Sequence, residues 1–290
     1  MMKYISTRDT DLYPRSVTSA EAIKEGLAPD GGLYIPLTFP RISAGDFDAL
    51  IHMNYPERAA LVLSRFLDDY DLDELYEDCA EAYSEARFPG GPAPMHKLSG
   101  DVYSLELWHG PTSAFKDMAL QLMPRLLSRA LKMTGENKTI HILVATSGDT
   151  GKAALEGYSD VDGVKITVFY PVDGVSEMQK RQMQTTLGEN VYVAAVEGNF
   201  DDAQTGVKRI FSDERLKEKA AENGFIFGSA NSINWGRLVP QIVYYISSYC
   251  DLCASGEIEL GDKVNIAVPT GNFGNIFAAY LAMRMGLPVN

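Results

Sequence analysis

The sequence predicts an α/β protein built on a mostly parallel sheet, and three observations carry that prediction. From residue 139 onward, short apolar runs at 139–145, 164–170, 191–196, 225–228 and 264–268 alternate with segments of helical apolar spacing. These runs are nearly continuous in apolar residues, the pattern of strands covered on both faces. Two of them lead straight into Gly-rich turns, TSGDTG at 146–151 and PTGNFGN at 269–275, each followed by a helix.

A length of 290 residues allows one large domain or two ordinary ones. The formal net charge of −13 argues against nucleic acid or an anionic membrane as partner. No segment approaches the ~18–20 uninterrupted apolar residues of a membrane span. The N-terminus lacks the apolar core of a signal peptide, so a cytoplasmic protein is expected. Three cysteines imply no disulfide framework. Cys250 and Cys253 match C-x-x-C, but they close the apolar helical run VPQIVYYISSYC and read as buried or half-buried thiols. With no second pair, no zinc site is expected.

Residues 1–95 read as a first, mainly helical unit, opening with a short strand at 4–7. Thr18 and Glu21 fit a capping box, and the helix they open should end at Gly26. PDGGLYIP at 29–36 is a turn and a short extended piece. Helical spacing follows at 43–53, 55–66 and 71–83, the last with Asp71 as cap and Glu74 in its first turn. No catalytic constellation stands in this unit, so its expected role is packing and covering. FPGGPAP at 88–94 is the clearest break in the chain.

The second unit, 96–235, opens with a strand candidate at 102–107 and a helix holding Pro124, which should kink it. Helices are then expected to about 158, over 176–187, as one long helix over 200–223, and over 233–249. Residues 236–290 begin a third unit. Pro288 and Val289 read as the entry to another strand, so the sequence is expected to be the front part of a longer protein.

The chemistry centres on WHGPTSAFKDMA at 108–119. Phe115, Met118, Ala119, Leu122, Met123, Leu126 and Leu127 recur at steps of three and four, which puts Lys116 in the first turn of a helix. Unsatisfied N–H groups and the positive end of the dipole oppose its charge there and help lower its pKa. A neutral amine adds to an aldehyde. The plain reading is a surface lysine at a helix start. The two Gly-rich turns each offer N–H groups at a helix N-terminus, an anion site by construction, on the sheet edge where ligands bind. Neither is GxGxxG or GxxxxGK[ST], so a dinucleotide fingerprint and a P-loop are absent. A lysine able to form a Schiff base, plus two anion cradles, points to pyridoxal phosphate. One cradle would hold the cofactor phosphate and the other a substrate carboxylate.

Four strings, HGPTSAFKD at 109–117, TSGDTG, NSIN at 231–234 and PTGNFGN, together resemble the signatures of threonine synthases. These are pyridoxal-phosphate enzymes of the tryptophan-synthase-β fold type, fold type II. GLAPDGGLY at 26–34 is similar to that family's N-terminal region in its longer bacterial and fungal form. The motifs run in the expected order through essentially the whole sequence. The resemblance implies two α/β lobes with mostly parallel sheets, a cofactor in their cleft, and an N-terminal, mainly helical segment. It also implies that the C-terminal part of the large lobe, with a hydroxyl residue facing the pyridine nitrogen, is missing.

Position by position, the resemblance implies Lys116 as the Schiff-base lysine and catalytic acid/base. Gly271, Asn272, Phe273, Gly274 and Asn275 are implied as the cofactor-phosphate cradle. Ser147, Gly148, Asp149 and Thr150 are implied beside the cofactor ring and the substrate carboxylate. Asp149 stands where many relatives of the fold carry Asn, and a carboxylate there repels an anionic substrate unless protonated or hydrogen-bonded. His109, Thr112 and Ser113 either shape the substrate pocket or form a structural turn. Asn231, Ser232 and Asn234 either contact substrate or cap a helix. Arg237 either helps bind phosphate or makes a surface salt bridge.

The implied reaction converts O-phospho-L-homoserine and water to L-threonine and phosphate. Both substrate and protein are anionic, so the helix N-termini and nearby Lys/Arg must focus positive potential locally. The alternatives are a serine/threonine dehydratase of the same fold type, a non-catalytic phospho-ligand-binding relative, or a thiol–disulfide protein using Cys250 and Cys253. A truncated lobe should expose apolar surface, which predicts self-association.

Overall fold

Local capping chemistry sets the N-terminal third. In the computed structural model, which describes residues 1–146, 148–269 and 273–290, β1 (Tyr4–Ser6) pairs with β2 (Ser16–Val17). α1 (Ser19–Glu25) opens at Thr18, whose hydroxyl accepts from Glu21 N while the Glu21 carboxylate accepts from Thr18 N. It ends at Gly26, φ 69°, a conformation that favours glycine. β3 (Tyr34–Pro36) completes an antiparallel sheet ordered β2-β1-β3. The same reciprocal caps open α2 (Ala44–Ile51) at Ser43 and α3 (Tyr55–Ser64) at Asn54, and Asp71 caps α4 (Leu72–Ala82).

β4 (Met95–Ser99) and β5 (Val102–Leu105) form an antiparallel hairpin. β4 has no counterpart in the sequence reading, because MHKLS is largely exposed and carries no apolar alternation. Pro124 starts a helix rather than kinking one. α5 (Asp117–Leu120) is a single turn, and α6 (Met123–Met133) begins with Pro124 at its second position. Lacking an N–H, Pro124 cannot donate to Leu120 O, so the ladder breaks there.

The central sheet is wholly parallel. β6 (Thr139–Ala145) is followed by α7 (Asp149–Tyr158), β7 (Val164–Pro171), α8 (Glu177–Gln184) and β8 (Val191–Val196). α9 (Phe200–Ser212) and α10 (Glu214–Glu222) then lead to β9 (Phe225–Gly228), in the strand order β8-β7-β6-β9. The single helix expected over 200–223 is two, because Asp213 leaves helical geometry (φ −90°, ψ 100°) and its carboxylate caps α10 at Leu216 N. Alternate residues of β6 serve opposite faces. Ile140, Ile142 and Val144 join the main core with Ala153, Ala154 and Leu155 of α7. Leu143 and Ala145 meet Ala203 and Val207 of α9. Burial on both faces is why β6 reads as an apolar run, while the edge strand β8 leaves Tyr192 exposed.

The helix expected over 233–249 divides into α11 (Trp235–Leu238) and α12 (Pro240–Ala254), because Pro240 cannot donate into the preceding turn. α13 (Gly274–Met285) closes the element order. The strand expected over 264–268 is reduced to one parallel bridge, Val264 with Val289. Val264 N donates to Pro288 O at 3.0 Å and Asn290 N to Val264 O at 3.1 Å, and Pro288 has no N–H to extend the ladder. No described helix is long and apolar enough to cross a membrane.

Arg58 joins the N-terminal third to α12. Only 5 % exposed, its guanidinium donates to Leu50 O, Ile51 O, Ser247 O and Ser247 Oγ and pairs with Asp251. Arg58→Met keeps the stem but orphans these acceptors. It should cost about 2–3 kcal/mol in urea denaturation, with an unchanged m-value.

Cys250 and Cys253 lie in α12, and all three cysteines are free. Burial pushes Cys79 up and Cys250 up to about 12, so their thiols stay protonated at neutral pH. At pH 8 the Cys250 thiolate fraction is then about 1 in 10,000. A disulfide-exchange reagent at that pH should titrate at most the half-buried Cys253 in the native protein, and all three thiols in denaturant.

Candidate active site

The strand order fixes where a ligand belongs. The chain runs outward from β6 through β7 to β8, then returns to place β9 on the other side of β6. The order therefore reverses between β6 and β9. In open α/β sheets, ligands bind at such a switch point, outside the carboxyl ends of the strands. The segment after β6 leads to Gly148 and α7, and the segment after β9 holds 229–234. Asn231 Nδ2 donates to Ala145 O at 3.3 Å and ties the two together.

Lys116 occupies the N-cap position of α5, which packs against α7, α11 and α12. Its Nζ donates to Asp149 Oδ1 at 2.6 Å, with the lysine side chain only 15 % exposed. Of the two ways the sequence allowed for tolerating a carboxylate at 149, the structure has the hydrogen-bonded one, with Lys116 as donor. Thr150 follows Asp149 in the first turn of α7, where amides lack intrahelical acceptors. Gly148 N and Gly151 N both donate to Thr146 Oγ1, so this turn is braced from inside. A Cβ on Gly148 would stand 2.5 Å from Gln179 Nε2. Ser147 lies outside the described residues.

The turn before Lys116 is built on Asp117, to which the sequence reading gave no role. Its buried carboxylate accepts from Thr112 N at 2.8 Å and Thr112 Oγ1 at 2.7 Å. Burial pushes that carboxyl above its ordinary range, against the lowering effect of the Thr112 bonds. A Cβ on Gly110 would lie 2.5 Å from Asp117 Oδ2, so only glycine leaves room for the carboxylate. Ser113 sits at φ 56°, the left-handed region, in an exposed position. The Thr112 hydroxyl is thus engaged in shaping the turn. His109 Nε2 pairs with Glu106 Oε2 at 2.8 Å.

Asn234 is buried, and its amide is fully engaged within the protein. Oδ1 accepts from Gly236 N at 2.8 Å, capping α11, and Nδ2 donates to Ile23 O at 2.9 Å and Ser229 O at 3.1 Å. Of the two roles left open for it, the structure gives capping. Ser232 is exposed, and its Cβ lies 3.6 Å from where a Cβ on Gly274 would stand. Phe273 is 69 % exposed and stacks on Phe277. Tyr245 Oη donates to Asn275 O at 3.0 Å. Gly271 and Asn272 lie outside the described residues. α11 packs against both α5 and α13, and Gln241 Nε2, which donates to Arg237 O, lies 3.9 Å from where a Cβ on Gly274 would stand.

Arg237 on α11 does not make the surface salt bridge offered as one alternative: it is 4 % exposed. The signal in the sequence was its company, since Trp235, Leu238 and Val239 surround it with apolar residues and leave no solvent face. A separate concavity of about 430 Å³, lined by His141, Lys165, Thr167, Tyr192 and Phe225, shares no residue with the site. Among the described residues no cluster is suited to a metal ion.

Two family models match the chain, "Threonine synthase N terminus" over residues 3–83 and "Pyridoxal-phosphate dependent enzyme" over residues 87–289. A Homo sapiens protein named threonine synthase-like 1 is 44 % identical over 300 residues, covering 99 % of this chain and 40 % of that protein. A Pseudomonas aeruginosa threonine synthase is 42 % identical over 297 residues, covering 100 % and 58 %. The chain thus spans well under two thirds of these relatives. Among solved structures, a threonine synthase from Brucella melitensis with pyridoxal phosphate bound superposes with TM-score 0.86 at 38 % identity, covering 100 % of this chain and 59 % of that one. The yeast threonine synthase gives 0.86 at 35 %, covering 99 % and 56 %.

Proposed function

The chain belongs to the pyridoxal-phosphate-dependent enzyme family across residues 87–289, and from that premise we propose that it serves the threonine synthase reaction. In this reading Lys116 would hold pyridoxal phosphate through its amine, and O-phospho-L-homoserine and water would become L-threonine and phosphate. The observation that carries this reading is Lys116 itself. A shielded amine meets Asp149 beside the sheet's switch point, within a chain homologous to threonine synthases over its whole length.

The residues present fit the cofactor. Lys116 Nζ offers the amine for its aldehyde. The N-terminus of α13, entered through the side-chain-free Gly274, suits its phosphate. Arg237 adds a buried cation nearby. When bound, the cofactor supplies an electron sink for negative charge developing at the substrate Cα. Lys116 Nζ would take the proton from Cα; a Cβ proton is then lost as the Cγ–O bond breaks and phosphate leaves with its electron pair, Cγ gains a proton, water adds its oxygen at Cβ, and Nζ would return a proton to Cα. Asp149 orients Nζ between those two events. First-turn amides at 149–150 suit the substrate carboxylate. In this reading residues 1–95 cover the site, 96–235 carry Lys116, and 236–290 begin the lobe that holds the cofactor phosphate.

The test is a substrate panel on the chain incubated with pyridoxal phosphate. Phosphate and threonine appearing together from O-phospho-L-homoserine support the proposal. A 2-oxo acid from threonine or serine, without phosphate release from O-phospho-L-homoserine, would replace it with a dehydratase.

A further inference from the structure

The central sheet is only partly covered on the face turned away from α7. Successive side chains of a strand point to opposite faces, and on this face Leu143 and Ala145 of β6 meet Ala203 and Val207 of α9. Nearer the amino ends of the strands the same face opens into a concavity of about 430 Å³, lined by His141, Lys165, Thr167, Tyr192 and Phe225. Strand pairing sets His141 opposite Lys165 and Thr167 opposite Tyr192. β8 and β9 are the two edges of the sheet, so Tyr192 and Phe225 flank the concavity from opposite sides. His141 Nε2 and Thr167 Oγ1 are hydrogen-bonded at 2.8 Å. The Lys165 ammonium lies over the Phe225 ring, 5.2 Å from its centroid, and no ion pair among the described residues includes it. Burial, and then the Lys165 charge, hold the His141 imidazole below its ordinary range, with no carboxylate among the groups that act on it. The lining thus carries a full cation, two aromatic rings and no acid, although the chain has 39 Asp and Glu against 26 Lys and Arg.

We propose that this concavity binds a small aromatic carboxylate, at a site separate from Lys116. The ligand's ring lies against Phe225 and Tyr192, and its carboxylate meets the Lys165 ammonium beside the His141–Thr167 pair. One cation without a counter-ion matches a monoanion; a dianionic phosphoryl group would need more positive charge than the lining holds. Ring faces on both sides favour a flat π-system over a branched aliphatic body. The volume falls within the range of small-molecule sites. With an overall charge of −13, attraction of an anion to this face must come from the local patch. Recognition here involves neither pyridoxal phosphate nor the chemistry at Lys116.

Calorimetry of the full chain with three matched probes tests it. Naphthoate has both ring and charge, naphthamide keeps the ring without the charge, and the fully saturated decalin carboxylate keeps the charge without a π face. Naphthoate should bind tightest, with each of the others at least about fivefold weaker. Lys165→Gln should raise the dissociation constant of naphthoate at least about tenfold and erase its advantage over naphthamide. Tyr192→Ala, at a side chain already 46 % exposed, should weaken both aromatic probes about threefold or more. Lys116→Ala should leave all three affinities unchanged. The chain has four histidines, and the ring signal that disappears from the proton spectrum in His141→Gln should shift in wild type when naphthoate is added. No naphthoate binding tighter than about 1 mM overturns the proposal. So do equal losses for acid and amide in Lys165→Gln, a His141 signal that stays in place, or an affinity that follows Lys116 instead of Lys165. A light-scattering mass that falls from dimer to monomer in Tyr192→Ala, with no naphthoate bound by wild type, would give the face to a second copy of the chain and end the proposal.

Discussion

A Lys116→Ala chain will retain no pyridoxyl group after borohydride reduction, and its phosphate release from O-phospho-L-homoserine will fall at least about 10,000-fold. The first effect follows from removing the amine, since the group paired with Lys116 is a carboxylate, Asp149, which cannot take its place. The second follows because the same nitrogen is the acid/base. Positioned proton transfer alone contributes about 100- to 10,000-fold, and loss of covalent capture comes on top. Reduction, digestion and peptide mapping of wild type should place the label on Lys116. A labelled peptide elsewhere, or turnover surviving in Lys116→Ala, would refute the assignment.

Gly157→Ala will unfold the region around the site more readily than any cap or surface change. Gly157 lies on α7, and a Cβ there would overlap the backbone oxygen of Leu120. That oxygen is the one left without a helical donor by Pro124, so α5, α6 and α7 meet at a point with no room for a methyl group. Backbone on both sides prevents the side-chain adjustment that usually relieves overpacking. A loss of about 3 kcal/mol or more is expected in chemical denaturation, at the upper end for an added methyl. A variant within about 0.5 kcal/mol of wild type would show that α7 can shift freely.

The parts of the fold legible in the sequence are those where local chemistry and tertiary packing agree. β6 ends where its apolar run meets TSGDTG, and α1 lies between a capping box and a glycine, because caps are decided by the residues on the spot. Legibility failed where a single residue interrupts a periodic pattern. Asp213, Pro124 and Pro240 each end a hydrogen-bond ladder inside an otherwise helical stretch, and apolar spacing is blind to that. β4 was invisible because it owes its existence to pairing with β5. In the site, Lys116 and the turn before α7 could be read from motif and spacing. The bond between Lys116 and Asp149 could not, since it joins residues 33 positions apart. Asp117 was passed over beside a more conspicuous lysine. Its role depends on Gly110 making room, a packing fact with no one-residue signature.

The bond from Asn234 to Ile23 crosses 211 positions of chain. At a translation rate of about 5–20 residues per second, Ile23 is made roughly 10–40 s before the donor to its carbonyl. The N-terminal third and the turn at 229–234 therefore cannot finish each other until residue 234 has been made. Elongation speed, more than the strength of the finished contact, governs how long the nascent chain waits for it. Synonymous codon changes that slow translation between these positions would lengthen that wait without altering one residue of the protein.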